Sequence, residues 1–541
     1  MTDRPPSESG WGPEDEALRP MPPSVGRQRL ILLSVLVVAT CGLVYELISA
    51  TMASYLLGDS VTQWSLVIGV YLSAMGLGSY LSKYVERQIH ARFVTIQVGI
   101  ALIGGFSAIA LFLGFAYLDS VRPLLFGILL SVGTMVGLEI PLLMRIMQEG
   151  QTLKDLVARV LAFDYLGSLA ASVLFPLALL PHLGMVRTSL LFGLLNAAVA
   201  LWAVHAFAAQ IRRLTWLRVQ TLGAATLLFV AFVAGPQIED FGESELYDFP
   251  VIFSKKTPYQ RLTITRWEDD IRLYIDGNLQ FSSTDEHRYH EALVHPGLAV
   301  ATAGGREGLR VLVLGGGDGL ALRELLKSDA VARVDLVDLD PAMTELFSTH
   351  PVLAEINGRS FSDARVHVHN ADAMEWLVMH RRAAGEPFDL AVVDLPDPNN
   401  FSLGKLYTHS FYRLLRSQLR GTGVGVIQAT SPYLAPRSYW CVVETLRAAG
   451  LNPLPYHAHV PAFGDWGFVL VSPSLVEAPR RVPDVPLRFL NDETLRSLFV
   501  FPSDLAPVEV GVNRLNDQLL VHYYEEDLED PLLRRGARRR P

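Results

Sequence analysis

Apolar runs without a charged face fill most of the first half of the chain. Between Leu30 and about Pro236 they alternate with short polar joints, and each is close to the ~20 residues that a helix needs to cross a bilayer. This pattern predicts a transmembrane helical domain over residues 29–236 with about seven spans. The predicted spans are 30–50, 62–82, 94–117, 123–144, 157–180, 187–208 and 218–235.

Residues 1–28, which precede these runs, are rich in Pro, Ser, Gly and charge. They show no apolar period, and this predicts a disordered tail. A signal peptide is not expected, because no short apolar core with a small-residue cleavage site follows a basic start.

Alternating polar and apolar positions replace the long runs after about Phe241. The segments Arg261–Trp267, Ile271–Ile275 and Leu279–Phe281 alternate as strands do, and Gly277-Asn278 is a turn signal between the last two. We therefore expect a small antiparallel β-subdomain over residues 241–305.

From Leu309 onward, short β-rich runs alternate with helical segments, as in a doubly wound parallel sheet. This predicts an α/β, Rossmann-like domain of the methyltransferase type over residues 306–475, with Phe468–Val471 as a late antiparallel strand. Residues 476–541 are expected to form a helical or irregular extension. The expected parallel strands are Val311–Leu314, Val334–Leu339, Val366–His369, Leu390–Val393 and Val424–Gln428, and the expected helices are 319–328, 341–348 and 408–419.

Composition supports a chain that is partly dissolved in lipid. Half of the 541 residues are hydrophobic and 19% are charged, against ~25% in a typical soluble domain. The net charge of −9 argues against general nucleic-acid binding and is compatible with cationic substrates. The two cysteines, Cys41 and Cys441, are far apart, and neither they nor the histidines form a disulfide frame or a metal set, so no metal is expected.

Three acids, Glu46, Glu139 and Asp164, lie inside or near the apolar runs, where ionised groups are costly. One interpretation is an internal polar site for amine or proton passage. The other is a hydrogen-bond network between packed helices, and the sequence leaves both open. Small residues such as Gly76, Gly78, Gly104, Gly105 and Gly167 are expected to let these helices pack closely.

A glycine-rich turn, Gly315-Gly316-Gly317-Asp318-Gly319, follows the strand Val311–Leu314 directly. Glycine there lets a ligand approach the backbone. Asp338 ends the next strand about 20 residues on, where an acid binds ribose hydroxyls. Asp372 follows the third strand, where a carboxylate can accept from an adenine amino group. This order is that of S-adenosyl-type nucleoside sites, whereas we expect Asp340 to be a helix N-cap before Pro341.

A second acidic motif, Asp394-Leu395-Pro396-Asp397-Pro398, ends the strand Leu390–Val393. In a doubly wound sheet the ligand lies outside the carboxyl ends of the strands. Asp318, Asp338, Asp372, Asp394 and Asp397 would share that edge and repel one another, and a di-amine would relieve the repulsion.

Together these motifs resemble the spermidine synthase family of polyamine aminopropyltransferases over roughly residues 250–475, with a front end similar to that of its membrane-bound bacterial members. Further upstream and downstream matches support the resemblance. They are Tyr259-Gln260, Ile275–Gln280, Asp285-Glu286-x-x-Tyr289-His290-Glu291, Leu406-Tyr407 and Phe411-Tyr412.

The resemblance implies decarboxylated S-adenosylmethionine as co-substrate and putrescine as acceptor, with no other cofactor. It implies Asp394 as the catalytic base. The donor and its methylthioadenosine part would be bound by Gln260, Gly315, Gly317, Asp338, Asp372 and Ala373. The polyamine would be held by Tyr289, His290, Asp318 and Asp397.

Departures from the family pattern put the identity of the acceptor in question more than the reaction. Asp338 stands where the family usually has Glu, Ala373 where it has Gly, and Phe463 where soluble members commonly have Tyr. Two other functions remain open at this point: a methyltransferase that uses S-adenosylmethionine, and a polyamine-binding sensor or transporter with an inactive synthase-like domain.

Basic residues in alternate joints place the N-terminus in the cytoplasm. An odd number of spans would then put the second half outside, whereas the donor is a cytosolic metabolite. We expect a multi-pass protein of the cell (inner) membrane, and the cytoplasmic side is favoured for the catalytic domain. Soluble members of the family form dimers or tetramers, so a homo-oligomer is compatible with the resemblance.

Overall fold

The computed structural model describes residues 25–57, 60–118, 120–148, 152–235, 237, 247 and 249–529. The chain divides into two compact units, and the main boundary lies between residues 243 and 244. Most of the tail predicted over residues 1–28 lies outside the described residues, and the first helix already begins at Val25. The basic run Arg534–Arg540 also lies outside them.

The first unit is helical throughout its described part. Most residues of every predicted apolar run are helical, although Phe106 interrupts the run 94–117 and the run 187–208 extends two residues past its helix. The runs 157–180 and 187–208 share the helical stretch Lys154–Ala206, which is interrupted at Gly184, where φ is +72°. Six helical stretches among the described residues are therefore long and apolar enough to cross a membrane, where the sequence suggested about seven. The helices are α1 Val25–Leu57, α2 Ser60–Leu81, α3 Ile89–Gly105, α4 Ser107–Tyr117, α5 Arg122–Met147, α6 Leu153–Leu174, α7 Leu180–Ala206 and α8 Leu214–Val233.

Glycine allows close approach at several crossings of these helices. A Cβ at Gly78 would lie 2.0 Å from the carbonyl oxygen of Thr134, and one at Gly167 would lie 2.5 Å from that of Leu36. The expectation is wrong for Gly76, where a Cβ would meet no atom within 4 Å. Small residues at crossings let backbones touch, which is how apolar helices associate in the absence of water.

Glu139 is 1% exposed within this unit and accepts a hydrogen bond from Gln97 Nε2. This contact joins α3 to α5 and fits the interpretation of a helix-packing network.

The second unit begins with a four-stranded antiparallel sheet in the order β1-β2-β3-β4. A turn joins β3 to β4 as predicted, but its two central residues are Asp276 and Gly277, one position before the expected Gly277-Asn278. Both have positive φ, as a two-residue hairpin requires. The strands are β1 Val251–Lys256, β2 Arg261–Trp267, β3 Asp270–Ile275 and β4 Asn278–Ser282.

A seven-stranded sheet in the order β10-β11-β9-β8-β5-β6-β7 follows. Strands β5 to β9 are parallel to one another, and β11 is antiparallel to β9, which confirms the predicted late strand. Apolar side chains cover both faces, which explains the near-continuous hydrophobic runs. The strands are β5 Leu309–Gly315, β6 Val331–Asp338, β7 Val366–Asn370, β8 Phe388–Asp394, β9 Leu419–Gln428, β10 Asn452–Val460 and β11 Gly464–Ser472.

Helices connect the parallel strands, and further helices lie in the C-terminal extension. They are α9 Glu286–Ala301, α10 Leu320–Leu326, α11 Pro341–Thr349, α12 Pro351–Ile356, α13 Ala373–Arg382, α14 Phe401–Gly404, α15 His409–Gln418, α16 Pro436–Ala448, α17 Asp492–Leu498 and α18 Leu519–Glu529.

The chain order reverses beside β5, since β6 and β7 follow on one side of it and β8 and β9 on the other. Such a switch point opens a crevice at the carboxyl ends of the two central strands. Here those ends carry the glycine turn and Asp394.

Candidate active site

The glycine turn after β5 is pressed against the end of β8. Gly315 has φ +80°, and a Cβ there would lie 1.9 Å from the carbonyl oxygen of Asp394. Gly316 N–H donates to that same oxygen at 3.1 Å. The turn therefore fixes the backbone that carries Asp394, and only glycine fits at Gly315.

Asp338, at the end of β6, faces the same turn. Its carboxylate accepts from Gly317 N–H at 3.1 Å and from Asp340 N–H at 2.9 Å. A Cβ on Gly317 would lie 2.6 Å from Asp338 Oδ2, so the backbone and this acid enclose a narrow cradle. Burial raises the pKa of Asp338 to about 6. A hydroxyl pair of a bound ribose could replace water beside this acid.

Asp394 points into the crevice beside an aromatic wall. Its Oδ1 accepts from the Tyr289 hydroxyl at 2.7 Å, and its Oδ2 lies 3.4 Å from where a Cβ of Gly316 would sit. The rings of Phe463 and Phe468 pack against Tyr289 with centroids 6.0 and 5.3 Å away. Burial raises the pKa of Asp394 to about 6. A carboxyl group with such a pKa can hold and release a proton near neutral pH.

His290 lies between the acids and carries positive charge. It is 2% exposed, and its Nδ1 is 2.9 Å from Glu286 Oε2. Burial opposes the charged imidazolium, but Glu286 outweighs burial and raises the pKa of His290 to about 9. Asp318 and Asp394 interact electrostatically with the same ring. Burial raises the pKa of Asp318, and the charge of His290 opposes that rise.

Arg323 pairs with Glu286, the carboxylate that also contacts His290. Its two Nη atoms donate to both oxygens of Glu286, at 2.9 and 2.8 Å. These partners hold the pKa of Glu286 at about 2, although its burial alone would raise it. Arg323, Glu286 and His290 therefore form a buried row of alternating charge that ends at the acids of the crevice.

We expect Glu286→Gln to destabilise the second unit by about 3 kcal/mol, because it leaves Arg323 and His290 without their buried anion. The full-length protein would be unfolded with urea near pH 7 and followed by intrinsic fluorescence. Glu444→Gln is the control, since Glu444 pairs with Arg447 on the surface and should shift the transition very little. Equal midpoints for the two variants would contradict the stated role of Glu286.

Asp397, three residues after Asp394, has its own set of donors. Its Oδ2 accepts from the Tyr524 hydroxyl at 3.0 Å and from Thr430 Oγ1 at 3.2 Å, and its Oδ1 accepts from Gln428 Nε2 at 3.4 Å. Burial raises the pKa of Asp397 to about 6, and the three donors oppose that rise. Tyr289 interacts electrostatically with both Asp394 and Asp397.

Asp372, at the end of β7, is engaged differently from the other acids. Its Oδ1 caps α13 by accepting from Met374 N–H and Glu375 N–H, and its Oδ2 is 2.6 Å from Lys405 Nζ. Its partners Lys405 and the two amides lower its pKa against the effect of burial. Ala373 is the first residue of the helix and is 7% exposed. Asp318 thus interacts electrostatically with Asp338 and Asp394, and Tyr289 with Asp394 and Asp397, whereas Asp372 pairs with Lys405.

Gln260 lies in the loop before β2 and donates to Asp340 Oδ2 at 3.0 Å. Asp340 also caps α11 by accepting from Ala342 N–H, which confirms the predicted N-cap. Thr257 Oγ1 donates to the same Oδ2 at 2.8 Å. This shared acceptor ties the antiparallel sheet to the carboxyl end of β6, beside Asp338.

Several residues of the crevice were not among the site residues expected from the sequence. Glu286 was visible only as part of a motif, and Arg323 lies in a helix with no local signal. Gln428 ends β9, Thr430 lies just after it, and Tyr524 lies about a hundred residues further along the chain. Among the residues that the structure describes, no group of three or more His, Cys, Asp or Glu side chains could hold a metal ion.

Comparison with known proteins gives a consistent result. Residues 286–478 match the Spermine/spermidine synthase domain. A Polyamine aminopropyltransferase 1 of Ralstonia nicotianae is 51% identical over 535 residues, which cover 95% of this chain and 98% of that protein. A Polyamine aminopropyltransferase of Leptospira interrogans is 46% identical over 507 residues, covering 92% and 99%. The crystal structure of spermidine synthase from Thermotoga maritima has a TM-score of 0.41 at 24% identity, covering 47% of this chain and 84% of that one.

Proposed function

Since the chain belongs to the spermine/spermidine synthase family, we propose that it transfers the aminopropyl group of decarboxylated S-adenosylmethionine to putrescine, giving spermidine and methylthioadenosine. The observation that carries the proposal is that Asp394, beside the glycine turn, accepts from the Tyr289 hydroxyl at 2.7 Å, while Asp397 acts electrostatically on Tyr289 and Asp318 on His290. Acids crowded in this way are suited to an ammonium group at each end of a di-amine.

The reaction needs a base because an alkyl amine, with a pKa near ~10.4, is protonated at neutral pH and cannot attack. Asp394 takes the proton from the acceptor nitrogen as that nitrogen attacks the aminopropyl carbon next to the sulfonium. The new C–N bond forms while the C–S bond breaks, and its electron pair neutralises the sulfur. Tyr289 holds Asp394 Oδ1, so that the carboxylate keeps one orientation during the transfer.

The donor fits along the ends of β5 and β6. Asp338 would accept from the ribose hydroxyls, and Gly315 and Gly317 would allow the nucleoside to approach the backbone. Asp372 and Ala373 at the start of α13 would lie on its adenine side. Gln260 would act through Asp340, which it contacts directly.

Asp318 would select the donor. Its buried carboxylate attracts the free ammonium of the aminopropyl arm and repels the carboxylate that ordinary S-adenosylmethionine carries at the same place. Tyr289 and Asp397 would hold the remainder of the acceptor. His290, which carries positive charge, would act on the acceptor only through Asp318 and Asp394.

The primary test is to incubate the purified full-length protein with putrescine and decarboxylated S-adenosylmethionine. Spermidine and methylthioadenosine should form in equal amounts, and ordinary S-adenosylmethionine should give neither product. Methyl transfer from the ordinary donor would instead establish the methyltransferase alternative. Putrescine binding without release of methylthioadenosine would establish a binding protein.

We expect kcat/KM for putrescine to fall as the pH is lowered through about 6, where Asp394 and Asp397 take up protons. Both carboxylates must be ionised, one to accept a proton and the other to hold an ammonium. The fall should approach about a hundredfold per pH unit when both are required and about tenfold when one is. Initial rates between pH 5 and 8.5 at saturating donor measure this, and a flat profile would rule out both roles.

We also propose that the helical unit lies in the cell membrane, with the catalytic unit on the cytoplasmic side. Its apolar stretches have mean hydropathies between 1.4 and 2.4, and each is long enough to cross a ~30 Å core. The cytoplasmic side is favoured because the donor is a cytosolic metabolite. Reporter fusions at residue 250, together with carbonate extraction of membranes, test both statements. Release of the protein by carbonate would refute membrane embedding.

A further inference from the structure

The C-terminal strap, defined as residues 511–529, packs over the segment that follows the acidic motif. Asn513 Nδ2 donates to the carbonyl oxygens of Tyr407 and Gly404 at 3.0 and 3.3 Å, and His409 N–H donates back to Asn513 O at 2.9 Å. Asn513 is fully buried. The strap therefore carries polar contacts into the interior rather than lying loosely on the surface.

Charged contacts fix the helix at the end of the strap. Arg437, at the start of α16, pairs with Asp527 and with Glu526, each at 2.6 Å. Asp527 also accepts from the backbone N–H of Arg437 at 2.9 Å. These contacts anchor α18, the helix that carries Tyr524.

Tyr524 on that helix reaches Asp397. Its hydroxyl is 3.0 Å from Asp397 Oδ2, the same oxygen that accepts from Thr430. Thr430 has φ +61°, an uncommon conformation for a β-branched residue, and the surrounding structure must enforce it. Two hydroxyls from distant parts of the chain thus converge on one carboxylate.

This part of the chain lies beyond the region that the synthase domain accounts for, which ends at residue 478. We infer that the strap completes the acceptor site, with Tyr524 as a positioning residue that sets the affinity for the acceptor amine through Asp397. The inference rests on the proposed function, since it assigns a substrate-specific role within that reaction.

The physical reason is that Asp397 must stay ionised and oriented in a buried place. A hydroxyl donor favours the charged carboxylate over the neutral acid. Without it, the pKa of Asp397 moves further above about 6, and the carboxylate is partly protonated near neutral pH. An acceptor ammonium would then meet a weaker and less well oriented partner, whereas the donor, which does not use Asp397, would bind as before.

The test is Tyr524→Phe in the full-length protein, which removes only the hydroxyl. At pH 7 we expect KM for putrescine to rise about tenfold, as for the loss of a hydrogen bond to a charged group, with KM for the donor unchanged. The difference should shrink as the pH is raised to about 8.5, because the carboxylate ionises again. Direct calorimetric titration with putrescine should show the same loss of affinity.

Tyr523→Phe is the matched control, because it removes the neighbouring hydroxyl, which accepts from Gly511 N–H at 3.3 Å and lies away from Asp397. It should leave both KM values within about twofold of the unsubstituted protein. The inference is overturned if Tyr524→Phe binds putrescine as tightly as the unsubstituted protein, or if its acceptor and donor constants change by the same factor.

Failure of the proposed function would look different. An unsubstituted protein that binds putrescine but releases no methylthioadenosine refutes the transfer reaction. The calorimetric comparison of Tyr524→Phe with Tyr523→Phe still decides whether the strap contributes to amine binding.

Discussion

Asp394→Asn is expected to lower kcat by about a thousandfold or more while the protein stays folded. General-base catalysis contributes about 10²–10⁴ in rate, and an asparagine cannot accept the proton of the attacking amine. The amide has nearly the shape of the carboxylate, and its oxygen can still accept from the Tyr289 hydroxyl, so the geometry of the crevice should persist. Steady-state rates of methylthioadenosine formation with both substrates saturating measure the effect.

The same substitution should make the protein more stable above pH 6. The pKa of Asp394 is raised from an ordinary value of 3.8 to about 6 in the folded state. Such a group favours folding fully below pH 3.8, and this contribution is lost as the pH rises through about 6. Asparagine does not ionise, so the variant should unfold at a higher urea concentration at pH 7.5, as expected where function is maintained at a cost in stability.

Asp389→Asn is the control for this experiment. Asp389 lies at the opposite end of β8 and pairs with Arg420 at 3.1 Å, away from the crevice. The kcat of the Asp389→Asn protein should stay within about twofold of the unsubstituted value. If Asp394→Asn keeps more than about a tenth of kcat, another group must be the base.

Gly315→Ala is expected to cost more stability than any surface substitution, about 4 kcal/mol or more. The left-handed backbone of Gly315 costs ~1–2 kcal/mol for a residue with a Cβ. The methyl group would also overlap the Asp394 carbonyl oxygen, which would lie 1.9 Å away, and relief requires the turn and β8 to separate. Either loss of soluble protein or a large shift of the urea transition meets this expectation, and any folded protein should be nearly inactive because Asp394 has moved.

Gly277→Ala separates the cost of the left-handed backbone from the cost of the steric overlap. Gly277 has φ +82°, almost the same as Gly315, but a Cβ there would meet no atom within 4 Å. Only the conformational cost of about 1–2 kcal/mol should remain, with activity intact. Equal losses of stability for the two variants would mean that the approach of the turn to Asp394 is not what requires glycine.

Local patterns were enough to predict most elements near the site. The strand before the glycine turn, the hairpin turn at Gly277 and the late antiparallel strand follow from short-range periodicity and turn chemistry, and each is present. The helix N-cap at Asp340 was also predictable, because a carboxylate before Pro341 has a strong local preference. The roles of the individual site residues in binding and catalysis stay predictions.

Other features could not be predicted, because they depend on contacts between segments that are far apart in the sequence. The sequence shows seven apolar runs. It does not show that two of them, 157–180 and 187–208, belong to one helical stretch that departs from helical geometry at Gly184. The placement of Asp372 with Lys405 was equally hidden, since the two residues are 33 positions apart. A lysine that neutralises an acid across a loop leaves no periodic signal.

By itself, the sequence determined the two halves of the chain, the parallel α/β class of the second half and the acids that follow its strands, because hydrophobic period and strand-end chemistry are local properties. Only the tertiary structure decided which of these acids share one crevice and which partners set their charge. The row from Arg323 through Glu286 to His290, and the contact of Tyr524 with Asp397, arise from packing between remote segments. Burial and the partner across the crevice fix the pKa of a carboxylate, and neither can be obtained from its neighbours along the chain.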